Sequence, residues 1–116
     1  MCHVLVIEDE PLIAYQVSEL ATDAGATSTD VATTPAEALN KALARPPAVI
    51  LSDVKIIDGT GPQAVEEIRN RLGPIPVIFI TGTPEACEAC DYAFAVLTKP
   101  IIAHQVISAF RVVAPV

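Results

Sequence analysis

Short, almost uninterrupted apolar runs separated by amphipathic stretches of helix length are the feature that most narrows what this chain can fold into. The runs cover residues 4–7, 28–32, 48–52, 77–80 and 95–97. The first, third and fourth are the most continuously apolar, as strands buried on both faces should be, whereas a strand with one wet face would alternate. Strands that alternate with crossover helices predict an α/β fold built on a parallel sheet.

The intervening stretches carry helical spacing and its punctuation. Ile13, Val17, Leu20, Ala21 and Ala24 share one face and are followed by Gly25, a helix stop. Thr34-Pro35-Ala36-Glu37 combines an N-cap hydroxyl, a proline at the first helical position and a capping-box Glu, and it introduces Ala38, Leu39, Ala42 and Leu43 on one face. Ala64, Val65, Ile68 and Leu72 form a third stripe closed by Gly73-Pro74, and Ala103, Val106, Ile107 and Phe110 form the last. Between the fourth and fifth strands, Thr83-Pro84-Glu85 opens a shorter piece with room for about two turns, with Thr83 as its expected cap.

Size and charge then exclude several classes of function. A chain of 116 residues, 52% of them hydrophobic, suffices for one α/β core and predicts a single domain over residues 1–116. No apolar run approaches the roughly 18 residues of a membrane span, and no signal-peptide pattern precedes the first strand, so a soluble, cytosolic protein is expected. The net charge of −7 without a basic cluster argues against direct nucleic-acid binding. Three cysteines without a secretion signal are expected to be reduced thiols. Cys87-Glu88-Ala89-Cys90 could be a redox pair or half of a metal site, but only Cys2 and His3 remain as soft partners, so packing is the expected role. His104 is expected to be a partly exposed helix residue, and the apolar end Val112-Val113-Ala114-Pro115-Val116 either a frayed tail or a contact surface.

Polar residues interrupt the apolar pattern at related places. Glu8 and Asp9 follow the first strand, Asp53 follows the third, Thr81 ends the fourth and Lys99 comes just after the fifth. In an open parallel sheet these carboxyl-terminal strand ends lie along one edge, where ligands bind. Three carboxylates crowded there would repel one another, by up to about 4 kcal/mol for a close pair at an effective dielectric near 20. A divalent cation removes that cost, and a small set of hard oxygen ligands suits Mg²⁺. Lys99 and the Thr81 hydroxyl could then hold the oxygens of a phosphoryl group, and Asp53, at the end of the central strand, is the nucleophile candidate.

Val4-Leu5-Val6-Ile7-Glu8-Asp9-Glu10-Pro11, Ile50-Leu51-Ser52-Asp53 with Asp58-Gly59 behind it, Pro76-Val77-Ile78-Phe79-Ile80-Thr81-Gly82 and Leu97-Thr98-Lys99-Pro100 together resemble the receiver domains of bacterial two-component response regulators. The resemblance spans essentially the whole chain, and residues 76–100 look closest to receivers of general-stress-response regulators. It implies a flavodoxin-like, doubly wound five-stranded sheet of order 2-1-3-4-5 with helices on both faces. It also implies Mg²⁺ held by Asp9, Asp53 and the backbone carbonyl of Lys55, and phosphorylation of Asp53 by a histidine kinase or a histidine phosphotransfer protein. Signalling would pass by protein–protein contact to a downstream target.

The chain departs from the family pattern in three places. Glu8 stands where many receivers have Asp, its longer arm still able to reach the metal or one of its waters. Val96 replaces a switching aromatic three residues before Lys99, which with Pro100 marks the switch region. The stretch between Thr81 and Lys99 is short, so the fourth helix is expected to be abbreviated. Beside the phosphoacceptor reading stand a receiver-like binding module that is not phosphorylated, a thiol oxidoreductase built on Cys87 and Cys90, and a metal-dependent phosphatase, against which counts the lack of a lid.

Overall fold

The computed structural model describes residues 1–87 and 90–116. Its main sheet has five parallel strands, β1 (His3–Ile7), β2 (Ser28–Ala32), β3 (Val49–Ser52), β6 (Val77–Thr81) and β7 (Ala95–Thr98), in the order β2-β1-β3-β6-β7. Counted among these five, that is the expected order 2-1-3-4-5. The boundaries differ from the sequence reading by single residues. β1 begins at His3, whose ring bridges to β2 through Ser28 Oγ at 2.8 Å and Asp30 Oδ2 at 3.1 Å. β6 and β7 run on to Thr81 and Thr98, which pair with each other in the ladder.

Alternation along the buried strands assigns side chains to two layers. Leu5, Ile7, Ile50, Val77 and Phe79 face α2 (Pro35–Ala44) and α3 (Gly61–Leu72), where they meet Ala38, Ala42, Ala64, Val65 and Ile68. Val4, Val6, Val49, Leu51, Ile78 and Ile80 face α1 (Pro11–Asp23) and α4 (Ala103–Val113), where they meet Ala14, Val17, Ala21, Val106 and Phe110. The helical stripes read from the sequence are thus the buried faces, with two exceptions: Leu43 and Ala103 are exposed. Leu43 is the last but one residue of α2 and Ala103 the first of α4, where the helix has already turned off, or not yet turned onto, the sheet.

The caps account for the helix limits. Thr34 Oγ1 accepts from Glu37 N at 3.1 Å, while the Glu37 carboxylate reaches one residue further back than a capping box requires, to Thr33 N at 2.8 Å. Thr60 caps α3 in the same way through Gln63 N, and Gly73 ends that helix at φ 94°, a conformation that costs glycine little.

A hairpin and a disulfide were not legible in the sequence, whereas the abbreviated fourth helix was. A small antiparallel hairpin, β4 (Lys55–Ile56) and β5 (Gly59–Thr60), follows β3, with Asp58 in its turn at φ 62°. Between β6 and β7 the expected two turns of helix reduce to one 3₁₀ turn over Pro84–Cys87; Glu88 and Ala89, within the stretch expected to be helical, lie outside the described residues. Cys87 and Cys90 are joined as a disulfide, with Cα atoms 5.1 Å apart, which overturns the expectation of reduced thiols. The i→i+3 bond from Cys90 N to Cys87 O, 3.0 Å long, is what brings the two side chains together. Both remain core residues, and Cys2 is free and buried. His104 is exposed on α4, while Val113 and Ala114 pack onto the core, so the apolar tail is docked in part.

Candidate functional site

The sheet register builds the site. β1 and β3 pair Ile7 with Ser52, so the next residues, Glu8 and Asp53, leave the sheet side by side. Each is pinned by a last ladder bond, Glu8 N to Ala32 O at 2.9 Å and Asp53 N to Ile7 O at 2.8 Å. On the other side Lys99 N donates to Thr81 O at 2.8 Å, which fixes the lysine where β7 ends. The peptide bond that follows, Lys99-Pro100, is cis.

The side chains converge accordingly. Lys99 Nζ donates to Glu8 Oε1 and to Asp53 Oδ2, each at 2.9 Å. The other Asp53 oxygen, Oδ1, accepts from Val54 N at 2.7 Å, and Glu8 Oε2 accepts from Glu10 N at 3.3 Å. One carboxylate oxygen from each of Glu8, Asp9 and Asp53 lies within 4.8 Å of the others. Sequence reasoning therefore placed four charged groups correctly at one edge. It did not foresee that Glu8 is 3% exposed and gripped by the lysine.

Burial sets the electrostatics. Desolvation pushes the Glu8 carboxyl above its usual range, and the nearby negative charge of Asp53 adds to the rise, while the Lys99 hydrogen bond only partly offsets it. For Lys99 desolvation works against the charged form, but the hydrogen bonds to Glu8 and Asp53 outweigh it and raise the ammonium's pKa. A single lysine thus holds two carboxylates.

Thr81 is buried, and its hydroxyl turns toward the following loop: Oγ1 accepts from Thr83 N at 3.0 Å and lies 3.2 Å from Thr83 Oγ1. The Thr83 side chain is therefore engaged with Thr81 instead of capping the turn. Lys55 sits in β4 just after Asp53 with its side chain exposed, and Val96 is exposed on the edge strand β7.

Two positioning residues were missed. Gly61, the first residue of α3, approaches the Asp53 backbone so closely that a Cβ there would overlap the Asp53 carbonyl oxygen and Ser52 Oγ. Ser52, itself buried, donates from Oγ to that same carbonyl at 2.7 Å. The Thr60-Gly61-Pro62 sequence at a helix start was the available signal, since a glycine before a first-turn proline has no capping reason of its own.

An all-oxygen trio of carboxylates fits a hard divalent ion such as Mg²⁺, which takes one or two carboxylates and keeps waters. Comparison with known proteins identifies the family. The model of the family described as "Response regulator receiver domain" matches residues 4–111. The phyllosphere-induced regulator PhyR of Methylorubrum extorquens is 40% identical over 84 residues, 71% of this chain and 31% of the relative. The acid tolerance regulatory protein ActR of Rhizobium meliloti is 28% identical over 109 residues, 90% of this chain and 56% of the relative. The chain therefore spans less than two thirds of the length of these relatives. Among solved structures, the response regulator PhyR from Brucella abortus superposes with a TM-score of 0.84 at 32% identity, covering 97% of this chain and 47% of that one. The receiver domain of PhyR from Erythrobacter litoralis gives 0.81 at 34% identity, covering 94% and 86%. With that family's model matching residues 4–111, nearly the whole chain, and its five-stranded sheet in the order β2-β1-β3-β6-β7, the chain belongs to the response regulator receiver domains.

Proposed function

We propose that this receiver accepts a phosphoryl group on Asp53 in a Mg²⁺-dependent reaction, with residues 1–116 acting as one phosphoacceptor unit in the cytoplasm. The observation that carries the reading is the bifurcated grip of Lys99 Nζ on Glu8 and Asp53 beside a third carboxylate, Asp9. Such a cation, already at the nucleophile, is placed to take up oxygens of an arriving phosphoryl group. An Asp53 oxygen attacks phosphorus, the phosphorus–nitrogen bond of a donor phosphohistidine protonated on its other ring nitrogen breaks, and neutral imidazole leaves with that proton. The Thr81 hydroxyl, now bonded to Thr83, would turn to a phosphoryl oxygen. Asp9, Asp53 and the Lys55 carbonyl would hold Mg²⁺, with Glu8 reaching it directly or through water. When bound, the ion neutralises charge that builds on the transferring group.

The donor is a histidine kinase or histidine phosphotransfer protein. Leu12 and Tyr15, 80% and 66% exposed on α1 next to Asp9, supply apolar surface for such a partner. Output passes by protein–protein contact to a downstream target. PhyR from Bartonella quintana, 32% identical with a TM-score of 0.82 over 95% of this chain, is an anti-anti-sigma factor, which makes a protein that controls transcription factors the natural class of target. Among the described residues no helix is long and apolar enough to cross a membrane.

Incubation with acetyl phosphate and Mg²⁺, read by intact mass, should add one phosphoryl group, absent in Asp53→Asn. Unchanged labelling of the variant overturns the assignment of Asp53. No labelling of the parent would leave a binding module that is not phosphorylated.

A further inference from the structure

We propose that Cys87 and Cys90 form a reversible dithiol–disulfide site, closed by exchange with a low-molecular-weight disulfide, that sets how freely residues 83–87 and 90–93 follow Thr81. The pair stands where the doubly wound pattern calls for a helix against β6 and β7, and the phosphoacceptor reading does not use it.

Three observations support the site. Cys87 and Cys90 are joined by an i→i+3 backbone bond and have Cα atoms 5.1 Å apart, a separation that a disulfide spans. Among the described residues of the segment, regular structure is one four-residue 3₁₀ turn, continued by isolated i→i+3 bonds from Ala86 N to Thr83 O and from Ala93 N to Cys90 O, each 3.0 Å. Exposed Glu85, Ala86 and Asp91 flank the buried sulfurs, so a local opening of the turn admits a small reagent.

The third observation is connection at both ends. Thr83 N donates to Thr81 Oγ1 at 3.0 Å, so the segment begins on the threonine next to the site. At the far end Tyr92 packs edge-on to Phe79 of β6, with ring centroids 6.1 Å apart, and Phe94 N bonds Val77 O where β7 starts. A staple between Cys87 and Cys90 therefore lies midway between Thr81 and the edge strand. The exposed side chains at 85 and 91 that flank the pair are both acidic.

The chemistry balances as thiol–disulfide exchange. One cysteine thiolate attacks a disulfide of the oxidised-glutathione class, the reagent's S–S bond breaks, and one reagent thiolate leaves. The second cysteine thiolate then attacks the protein sulfur of the mixed disulfide and expels the other. The two cysteines are oxidised by two electrons, the reagent is reduced to two thiols, and the two cysteine protons end on them.

The coupling to Thr81 rests on the phosphoacceptor reading: when the Thr81 hydroxyl turns to a phosphoryl oxygen, Thr83 N loses its acceptor and the segment must re-seat. The closed disulfide restrains that movement.

The test uses the full chain equilibrated with oxidised or reduced glutathione. Alkylation after unfolding should mark three cysteines in the reduced chain and Cys2 alone in the oxidised one, with a mass lower by two hydrogens before alkylation. Amide exchange at residues 82–87 and 91–94 should then be slower in the oxidised chain by roughly tenfold or more, from the loss of open conformations on closing a small loop. With beryllofluoride and Mg²⁺, exchange in that segment should change more in the reduced chain than in the oxidised one. Three alkylated cysteines after oxidised glutathione, or a persistent glutathione adduct, overturns the site. Equal exchange in the two redox states overturns the restraint. A Cys87→Ala, Cys90→Ala variant that still responded to glutathione in its exchange would overturn the assignment to this pair. If Asp53 is not labelled by acetyl phosphate in either redox state, the phosphoacceptor reading fails and with it the coupling, while the alkylation and exchange results without beryllofluoride still decide the site.

Discussion

Replacing Lys99 with methionine keeps most of the side-chain stem and removes the ammonium that holds Glu8 and Asp53. Glu8 is 3% exposed, so it cannot recover its solvation in water and must either stay charged beside Asp53 or take up a proton. The second course sets a ceiling on the damage. Holding Glu8 protonated at about pH 7, about 2.5 units above its ordinary value of 4.5, costs about 3 kcal/mol. The expected loss for Lys99→Met is therefore at most about 3 kcal/mol near pH 7, and under about 1 kcal/mol near pH 5, where protonation is nearly free. The sign follows from proton binding. A carboxyl whose folded pKa is raised binds more protons folded than unfolded above about pH 4.5, so stability falls as pH rises through that window. The parent carries a weaker form of the same slope, since its Glu8 is already raised. The raised pKa of Lys99 adds stability that is lost only in the alkaline range, as pH passes its folded value. Urea unfolding of parent and variant at about pH 5 and about pH 7, with and without Mg²⁺, measures all of this. Mg²⁺ should rescue the variant in part by supplying the missing charge. A loss of equal size at both pH values would refute the reasoning, because it would make Lys99 a packing residue and not the counter-ion of buried carboxylates.

Three further outcomes follow from the same geometry. Mg²⁺ about tenfold above its Kd should stabilise the parent by about 1.4 kcal/mol, about 6 °C in Tm for a domain of this size, and Asp9→Asn should lose at least about half of that shift; an unchanged shift removes Asp9 from the ligand set. Gly61→Ala forces a Cβ onto the Asp53 carbonyl and Ser52 Oγ, so it should cost about 3 kcal/mol and lower the rate of Asp53 labelling in whatever fraction stays folded. Near-parental stability would show that α3 can withdraw from β3. Thr34→Ala removes the acceptor of Glu37 N and should cost about 1 kcal/mol in urea unfolding without altering labelling at Asp53; an effect on labelling would tie α2 to the site.

Local pattern was enough for much of this protein. Runs such as Val4-Leu5-Val6-Ile7 have no wet face, and they marked the sheet and its parallel character before any coordinates. The Thr34-Pro35 and Gly73-Pro74 pairs marked helix limits, because capping is decided within one turn of chain. The gathering of Glu8, Asp9, Asp53 and Lys99 followed from their position at strand ends, a consequence of parallel topology alone. What the tertiary structure decided depends on contacts between residues far apart in the chain. Glu8 and Lys99, 91 positions apart, become an ion pair only when β1 and β7 are in register with β3 and β6 between them. The need for glycine at position 61 arises from the carbonyl of Asp53, which helix propensity does not see. The segment after Thr81 had a helix-start signal, yet among its described residues Pro84–Cys87 form a 3₁₀ turn. Cys87, Tyr92 and Ala93 are drawn down onto Phe79 and the α3 face, and an autonomous helix that short has too few hydrogen bonds to resist.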